Sequence, residues 1–344
     1  MSLTEQLNYV FNPRSVAVIG ASQKFDSWGF RIMNCLLESS QRKVYPVSRT
    51  SSEIFGLKAY QSINDIPESI DFAVIAIPGP KVFEAVQQCV EKGVRGAIVV
   101  SGGLAEVGEG GKEMEQEIVK IARQGGLRFI GPNSLGHVNT SSNFRTLAWV
   151  GKVSQGPVGI ISQSGTYGSR ILCSTMETGI GCSKFISAGN EADLHFEDYL
   201  EYLAHDEETK IIIGYIEGLR EGKRFLRLAK EISRRKPIIV MKAGKSEAAA
   251  KAAKSHTAAL TGSDLVYDAL FKQSGVIRVD DDEEVLDMVH ALLCLPLPKG
   301  RRIGILTQGG GIGVVATDAC LEEGLKLSAF SLATIEKLNA QLPP

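Results

Sequence analysis

The chain has 344 residues, too many for one ordinary domain, and its 38 Lys and Arg against 39 Asp and Glu leave a formal charge of -1. That balance gives no electrostatic case for nucleic acid or an anionic membrane surface as partner, and no apolar run reaches membrane-spanning length. With 36 glycines and only 7% aromatic residues, the composition favours β-α repeats with Gly-rich turns over a sandwich or a helical bundle.

The start, Met1 to Asn8, has no basic region followed by an apolar stretch, so a cytoplasmic protein is expected. The first predicted strand is Ser15 to Ile19, followed by the turn Gly20-Ala21-Ser22 and a helical pattern from Gly29 to about Glu38. Apolar runs at 44–47, 72–77, 96–100 and 127–130 alternate with helical stretches, notably Lys81 to Glu91 and Lys112 to Gln124. The pattern predicts a doubly wound parallel sheet of about five strands over residues 1–140.

After a turn-rich segment from Asn139 to Val153, a second α/β set spans 150–292. Its strands are predicted at Gly156 to Ile161, Ser183 to Ile186, Ile211 to Ile216, Pro237 to Met241 and Val276 to Val279. The run from Leu295 to Gly300 reads as a linker. Residues 300–344 then supply one strand from Arg302, one helix and the start of another strand, which predicts an incomplete third α/β domain. Six cysteines without CxxC spacing read as reduced thiols, and no metal site is indicated.

Open α/β sheets place their sites at the C-terminal strand ends, where this chain carries small and polar residues. Gly20-Ala21-Ser22 offers a tight turn before a helix, suited to a phosphate. It is not the GxGxxG of an NAD site, and the second strand ends in Ser48-Arg49-Thr50, where NAD binding wants a carboxylate. A basic Arg49 fits a phosphorylated ribose, as in NADP or coenzyme A. Ile77-Pro78, Ser101-Gly102-Gly103-Leu104-Ala105-Glu106 and Gly131-Pro132-Asn133 follow further strands of the same domain and are expected at the same edge.

In the second domain Ser162-Gln163-Ser164-Gly165 follows a strand and opens a helix, which makes an anion cradle. A nucleophilic serine competes with that reading, but Gln163-Ser164-Gly165 lacks the first glycine of the GxSxG elbow. Glu217 ends the strand Ile211 to Ile216, placed to accept a ring N–H from a histidine at the same edge. His256 follows the strand at Pro237 to Met241, among Ser255, Thr257 and Thr261 in a segment rich in alanine. Mostly deprotonated at neutral pH, it is a candidate nucleophile; an ordinary surface histidine is the other reading.

Taken in order, Phe11 to Ser22, Gly131-Pro132-Asn133, Ser162 to Gly165, Ser187 to Asp193, Glu217-Gly218, Ser255-His256-Thr257 and Thr307 to Gly311 resemble the NDP-forming acyl-CoA synthetases. These are the acetate–CoA ligase (ADP-forming) group of the succinyl-CoA synthetase superfamily. The resemblance covers nearly the whole chain. It implies a Rossmann-like CoA-binding domain, a flavodoxin-like domain and a partial third α/β domain. His256 would be transiently phosphorylated, with Glu217 as its orienting partner, and Ser162, Gln163, Ser164 and Gly165 would bind phosphate. CoA would be held by Gly20, Ala21, Ser22, Arg49, Ile77, Pro78, Ser101, Gly102, Glu106 and Asn133. The implied reaction joins a carboxylic acid to CoA with cleavage of NTP to NDP and phosphate, through acyl phosphate and phosphohistidine.

ATP or GTP with Mg would bind an ATP-grasp module that these residues do not resemble, on a partner subunit or a fused C-terminal region, and an oligomer is expected. Two stretches differ from the family's usual pattern. Ser48-Arg49-Thr50 replaces Asn-Pro-Lys, with Arg49 the substitute phosphate contact, and Ser101-Gly102-Gly103-Leu104 replaces Ser-Ala-Gly-Phe. The competing function is a non-catalytic CoA or acyl-CoA sensor. An NADP oxidoreductase ranks last, because no proton-relay pair stands out beside a nicotinamide site.

Overall fold

The computed structural model describes residues 2–39, 42–147, 151–245, 263–296 and 298–342. The chain forms two units, Met1–Val289 and His290–Pro344. In the first, α1 (Leu3–Phe11) is opened by a capping box: the Ser2 hydroxyl accepts the Glu5 N–H, and the Glu5 carboxylate accepts the Ser2 N–H. There follow β1 (Ser15–Ile19), α2 (Trp28–Ser39), β2 (Lys43–Val47), the small hairpin β3 (Glu53–Ile54) and β4 (Leu57–Lys58), and β5 (Phe72–Ile75). The half closes with α3 (Val82–Glu91), β6 (Gly96–Val99), α4 (Glu109–Gln124) and β7 (Arg128–Ile130).

These build a parallel sheet in the order β2-β1-β5-β6-β7, the doubly wound sheet expected from the apolar runs. Every residue of β1 is buried, as helices covering both faces of a parallel strand require. The strand order reverses at β1, between β2 and β5, so the crevice for a ligand lies beyond the C-terminal ends of these strands.

The second sheet draws on β8 (His137–Asn139), β9 (Phe144–Arg145), β10 (Gln155–Ser162), β11 (Cys182–Ser187), β12 (Ile211–Ile216), β13 (Ile238–Lys242) and β14 (Ile277–Val279). Its order is β14-β13-β12-β10-β11-β8-β9. From β14 to β11 the strands are parallel; β8 pairs antiparallel with β11, and β9 antiparallel with β8. Helices α5 (Gly165–Glu177), α6 (Phe196–His205) and α7 (Gly222–Ile232) make the connections. Helix α7 buries Phe225, Leu228, Ala229 and Ile232, a single stripe at helical spacing. The β8–β9 hairpin occupies part of the segment that reads as turns in the sequence, because two- and three-residue strands carry no measurable alternation.

One apolar core runs through both sheets, from Leu7, Phe11 and Val16 through Phe72 and Phe144 to Ile161, Ile186 and Phe196. Phe11 of α1 stacks on Tyr202 of α6 at 4.5 Å and meets His137 edge-on. His137 is fully buried among Phe11, Phe72 and Phe144. Burial lowers its pKa to about 3, so the ring is neutral. Its Nε2 donates to the Val10 carbonyl at 3.0 Å, and its Nδ1 accepts from the Thr146 hydroxyl at 2.9 Å.

In the second unit β15 (Arg302–Ile303) and β16 (Lys326–Leu327) pair in parallel beside the helices Gly310–Glu322 and Leu332–Asn339. Neither helix buries a residue, and Leu306, Val315 and Leu332 are exposed. Among the described residues no helix is long and apolar enough to cross a membrane.

Candidate functional site

Gly20, Ala21, Ser22, Arg49, Ile77 and Pro78 all border one cleft of about 410 Å³ beyond β1, β2 and β5. Its geometry depends on two glycines. Gly20 has φ +94°, and a Cβ there would stand 2.3 Å from the Ala76 carbonyl oxygen; a Cβ on Gly29 would stand 1.9 Å from the Gly20 carbonyl oxygen. The Gly20 and Ala21 N–H groups both donate to the Val47 carbonyl, at 3.1 and 3.2 Å, which ties the turn to the end of β2. Helix α2 begins only at Trp28, after a segment in which the Ser22 hydroxyl accepts the Lys24 N–H.

At the cleft mouth Arg49 Nη2 lies 2.7 Å from Glu84 Oε1, with both side chains more than half exposed. Such a pair is worth about 0–1 kcal/mol, little enough for an incoming anion to displace. Lys81 lines the same cleft, and Ile19, Val47 and Ala76 supply its apolar wall. A cationic rim over an apolar floor fits a phosphorylated nucleotide such as that of CoA.

Ser101, Gly102, Glu106 and Asn133 stand one layer back and shape the loops. The Ser101 hydroxyl accepts the Ile77 N–H at 3.2 Å and donates to the Ile77 carbonyl, fixing the Ile77-Pro78 turn. Asn133, at φ +58°, donates its N–H to the Ser101 carbonyl at 2.9 Å. A Cβ on Gly102 would lie 2.9 Å from Glu106 Oε1. The Glu106 carboxylate accepts the Gly103 N–H at 2.6 Å and the Asn190 side-chain amide at 2.7 Å. Burial pushes the Glu106 pKa up, but the hydrogen bonds from Asn190, Gly103 and neighbouring amides outweigh it and hold the group below the usual carboxylate range.

Asn190 belongs to the loop after β11, so this bond joins the loops of the two sheets. The Asn190 N–H also donates to the Pro132 carbonyl at 2.9 Å, and a Cβ on Gly189 would stand 2.1 Å from that same oxygen.

At the end of β10, Ser162 is buried and its hydroxyl donates to the Ser164 carbonyl at 2.6 Å. Ser164 caps α5 by accepting the Tyr167 N–H at 3.3 Å, and Gly165 packs so tightly on Leu135 that a Cβ would lie 2.4 Å from its side chain. The start of α5 therefore presents backbone N–H groups and its positive dipole end, while both serine hydroxyls are engaged locally. Gln163 reaches the neighbouring strand end: the Glu217 N–H donates to its Oε1 at 2.6 Å. Glu217 is buried just past β12, beside Tyr215, whose pKa rises to about 12 through burial and then the nearby Glu217 charge. On the adjacent strand β13 ends at the buried Lys242, whose ammonium lies 4.7 Å from the centre of the Tyr267 ring and whose pKa burial lowers.

His256 lies outside the described residues. Of the other candidate residues, the structure brings Glu217 and the α5 entrance together at one sheet edge, and gathers the first-domain residues at the other. Sequence reasoning missed Asn190 and Glu191 as organising groups, although both lie in the quoted stretch Ser187 to Asp193. Glu191 has φ +54° and is buried, with Oε2 accepting from Gln163 at 2.8 Å. A Gly-Asn pair just past a strand was the available signal for such a turn.

Two families match the chain: the CoA binding domain over residues 14–140, and the succinyl-CoA ligase like flavodoxin domain over 155–292. The α subunit of the ADP-forming acetate–CoA ligase II of Pyrococcus furiosus is 45% identical over 98% of this chain, which spans 74% of that protein. The ADP-forming acetate–CoA ligase of Methanocaldococcus jannaschii is also 45% identical over 98% of the chain, but the chain spans only 48% of its length. Among solved structures, the dinucleotide forming acetyl-coenzyme A synthetase 1 of Ca. Korarchaeum cryptofilum, in complex with phosphate and ADP, superposes with a TM-score of 0.92. It is 38% identical over 98% of this chain and 73% of that one. Matched along nearly its whole length, in sequence and in fold, the chain belongs to the NDP-forming acyl-CoA synthetases and is an acid–CoA ligase component of that family.

Proposed function

We propose that the chain binds CoA in the cleft at Gly20 to Ser22, carries a phosphoryl group on His256 and orients that histidine through Glu217. The reaction is acid plus CoA plus NTP giving acyl-CoA, NDP and phosphate, reversibly, through acyl phosphate and phosphohistidine. The observation that carries the reading is the convergence of three strand ends: β10 opening into α5, β12 ending at Glu217, and β13 leading toward the His256 segment. A buried carboxylate beside a helix N-terminus supplies opposite charges to opposite needs. The helix end favours the phosphoryl oxygens, and Glu217 favours an N–H on the imidazole. Phosphoryl transfer asks for that kind of positioning and charge stabilisation more than for covalent chemistry.

CoA, when bound, supplies the thiol that takes the acyl group; Arg49 and Lys81 are placed to hold its phosphates at the cleft mouth. Nucleotide and Mg belong in this reading to an ATP-grasp module, on a partner subunit or on a longer fused chain, within an oligomeric enzyme. Incubation with acyl-CoA and radiolabelled inorganic phosphate tests the proposal. Wild-type protein is expected to take up acid-labile label that His256→Ala does not. Equal labelling of the two, with acyl-CoA binding intact, would leave a CoA-binding protein with an idle histidine segment.

A further inference from the structure

Gln163 stands between the two serines at the entrance to α5, where its residue type suggests one more phosphate ligand. Its side chain is engaged elsewhere. Oε1 accepts the N–H of Glu217 at 2.6 Å and of Gly218 at 3.0 Å, while Nε2 donates to the Gly218 carbonyl at 2.6 Å and to Glu191 Oε2 at 2.8 Å. A primary amide offers two donor hydrogens and two acceptor lone pairs, so these four bonds use the group completely. The Gln163 backbone grips the same segment, its N–H donating to the Tyr215 carbonyl at 3.2 Å one residue beyond β10. Main chain and side chain together hold Tyr215 to Gly218, the stretch that carries Glu217.

The Glu217–Gly218 main chain and Glu191 together decide which way the amide faces. A flipped Gln163 would turn its oxygen toward the Gly218 carbonyl and its NH₂ toward two N–H groups, replacing three main-chain bonds by repulsive contacts and giving up its donation to Glu191 Oε2. Glu191 is itself fixed: it follows Asn190, whose amide nitrogen is anchored on Glu106 and on Glu115 at 3.0 Å.

We propose that Gln163 is a positioning residue that sets Glu217 just past the end of β12, with Glu191 supporting its amide orientation, and is not a ligand of the transferred phosphoryl group. The inference rests on the reading of Glu217 as the partner of His256.

Its test uses the ligase assembled with its ATP-grasp module. Phosphohistidine formation from acetyl-CoA and radiolabelled inorganic phosphate is measured across phosphate concentrations for wild type, Gln163→Glu, Glu191→Gln, Glu191→Ala and Glu217→Gln. Gln163→Glu keeps the size but sets an oxygen against the Gly218 carbonyl. Its maximal rate is expected to fall at least about tenfold, with half-saturation by phosphate within about twofold of wild type. Glu191→Ala shifts in the same sense, and Glu191→Gln, whose amide oxygen still accepts from Nε2, keeps most of the rate. A raised half-saturation concentration at unchanged maximal rate would make Gln163 a phosphate ligand and overturn the proposal.

If Glu217→Gln leaves labelling intact, the reading of Glu217 fails and the proposal with it. If Glu217→Gln abolishes labelling while Gln163→Glu matches wild type, only the positioning role fails. Amide hydrogen exchange adds a readout independent of turnover. In Gln163→Glu the Glu217 and Gly218 N–H groups exchange faster while β10 and β12 keep their protection, and unchanged exchange there overturns the proposal. Should Gln163→Glu not fold, Glu191→Ala carries the same measurement.

Discussion

Arg128 Nε lies 2.9 Å from Asp193 Oδ2, pairing the start of β7 with a carboxylate from the loop after β11. Asp193 is wholly buried and also takes the Phe129 N–H at 3.0 Å and Arg123 Nε at 2.7 Å. Helix α4 and the start of β7 thus donate three side-chain or backbone hydrogen bonds to one carboxylate of the second half, which ties the loop after β11 to the N-terminal end of β7.

Removing that anion leaves the mostly buried Arg128 with its bond to Gln6 Oε1 alone, at 2.9 Å, and takes the acceptor from the buried Phe129 N–H. Asp193→Ala is expected to cost about 3–5 kcal/mol in denaturant unfolding. Arg123→Ala, at a half-exposed side chain, is expected to cost no more than about 1 kcal/mol. Equal losses in the two variants would contradict this account.

His137 makes stability depend on acid. Burial holds its folded pKa at about 3 against an ordinary 6.5, so the unfolded chain takes up a proton that the folded one refuses. Its contribution is whole above pH 6.5 and is lost as pH falls toward 3, at about 1.4 kcal/mol per unit. An NMR titration should show the ring neutral at pH 5, and His137→Gln should flatten the stability profile between pH 6.5 and 4.

Glu191 works in the opposite direction. Burial, then the nearby Glu197 charge, raises its pKa to about 8, with Gln163 and Arg220 opposing. An acid whose folded pKa is raised contributes full stability below its unfolded value of 4.5 and loses it as pH rises to about 8. Glu191→Gln should therefore match wild type near pH 4.5 and unfold at higher denaturant near pH 8. A gain independent of pH would rule out ionisation as the cause.

The cleft makes a prediction about ligand discrimination. Arg49→Ala is expected to weaken CoA binding about tenfold while changing dephospho-CoA binding little, which calorimetry with both ligands measures. Gly20→Ala, forced into a left-handed backbone and against the Ala76 carbonyl, should weaken both. If Arg49→Ala weakens them equally, the arginine does not read the ribose phosphate.

The parallel strands were legible because burial on both faces writes itself as uninterrupted runs such as Ile211-Ile212-Ile213 and Ile238-Ile239-Val240. Gly20, the α5 entrance and Glu217 were legible as punctuation at strand ends. The bonding of Gln163 was not, since an amide between two serines reads as turn polarity, and its partners come within reach only through the parallel pairing of β10 with β12, for Glu217 and Gly218, and with β11, for Glu191. Asn190 and Glu191 escaped for the same reason: their partners lie on other strands, 28 residues away for Gln163 and 84 for Glu106.

The hairpin β8–β9 bears on how this protein can be divided. Residues 137–145 lead out of the first half yet pair along the edge of β11. A flavodoxin-like fragment begun at 150 would leave β11 with a bare row of N–H and carbonyl groups, a template for pairing with other chains. Begun at 134 instead, the fragment would carry its own edge protection along with Ser134, whose hydroxyl donates to the Ser187 carbonyl at 2.6 Å. For anyone separating the two activities, the place to cut lies inside what looks like the end of the first domain.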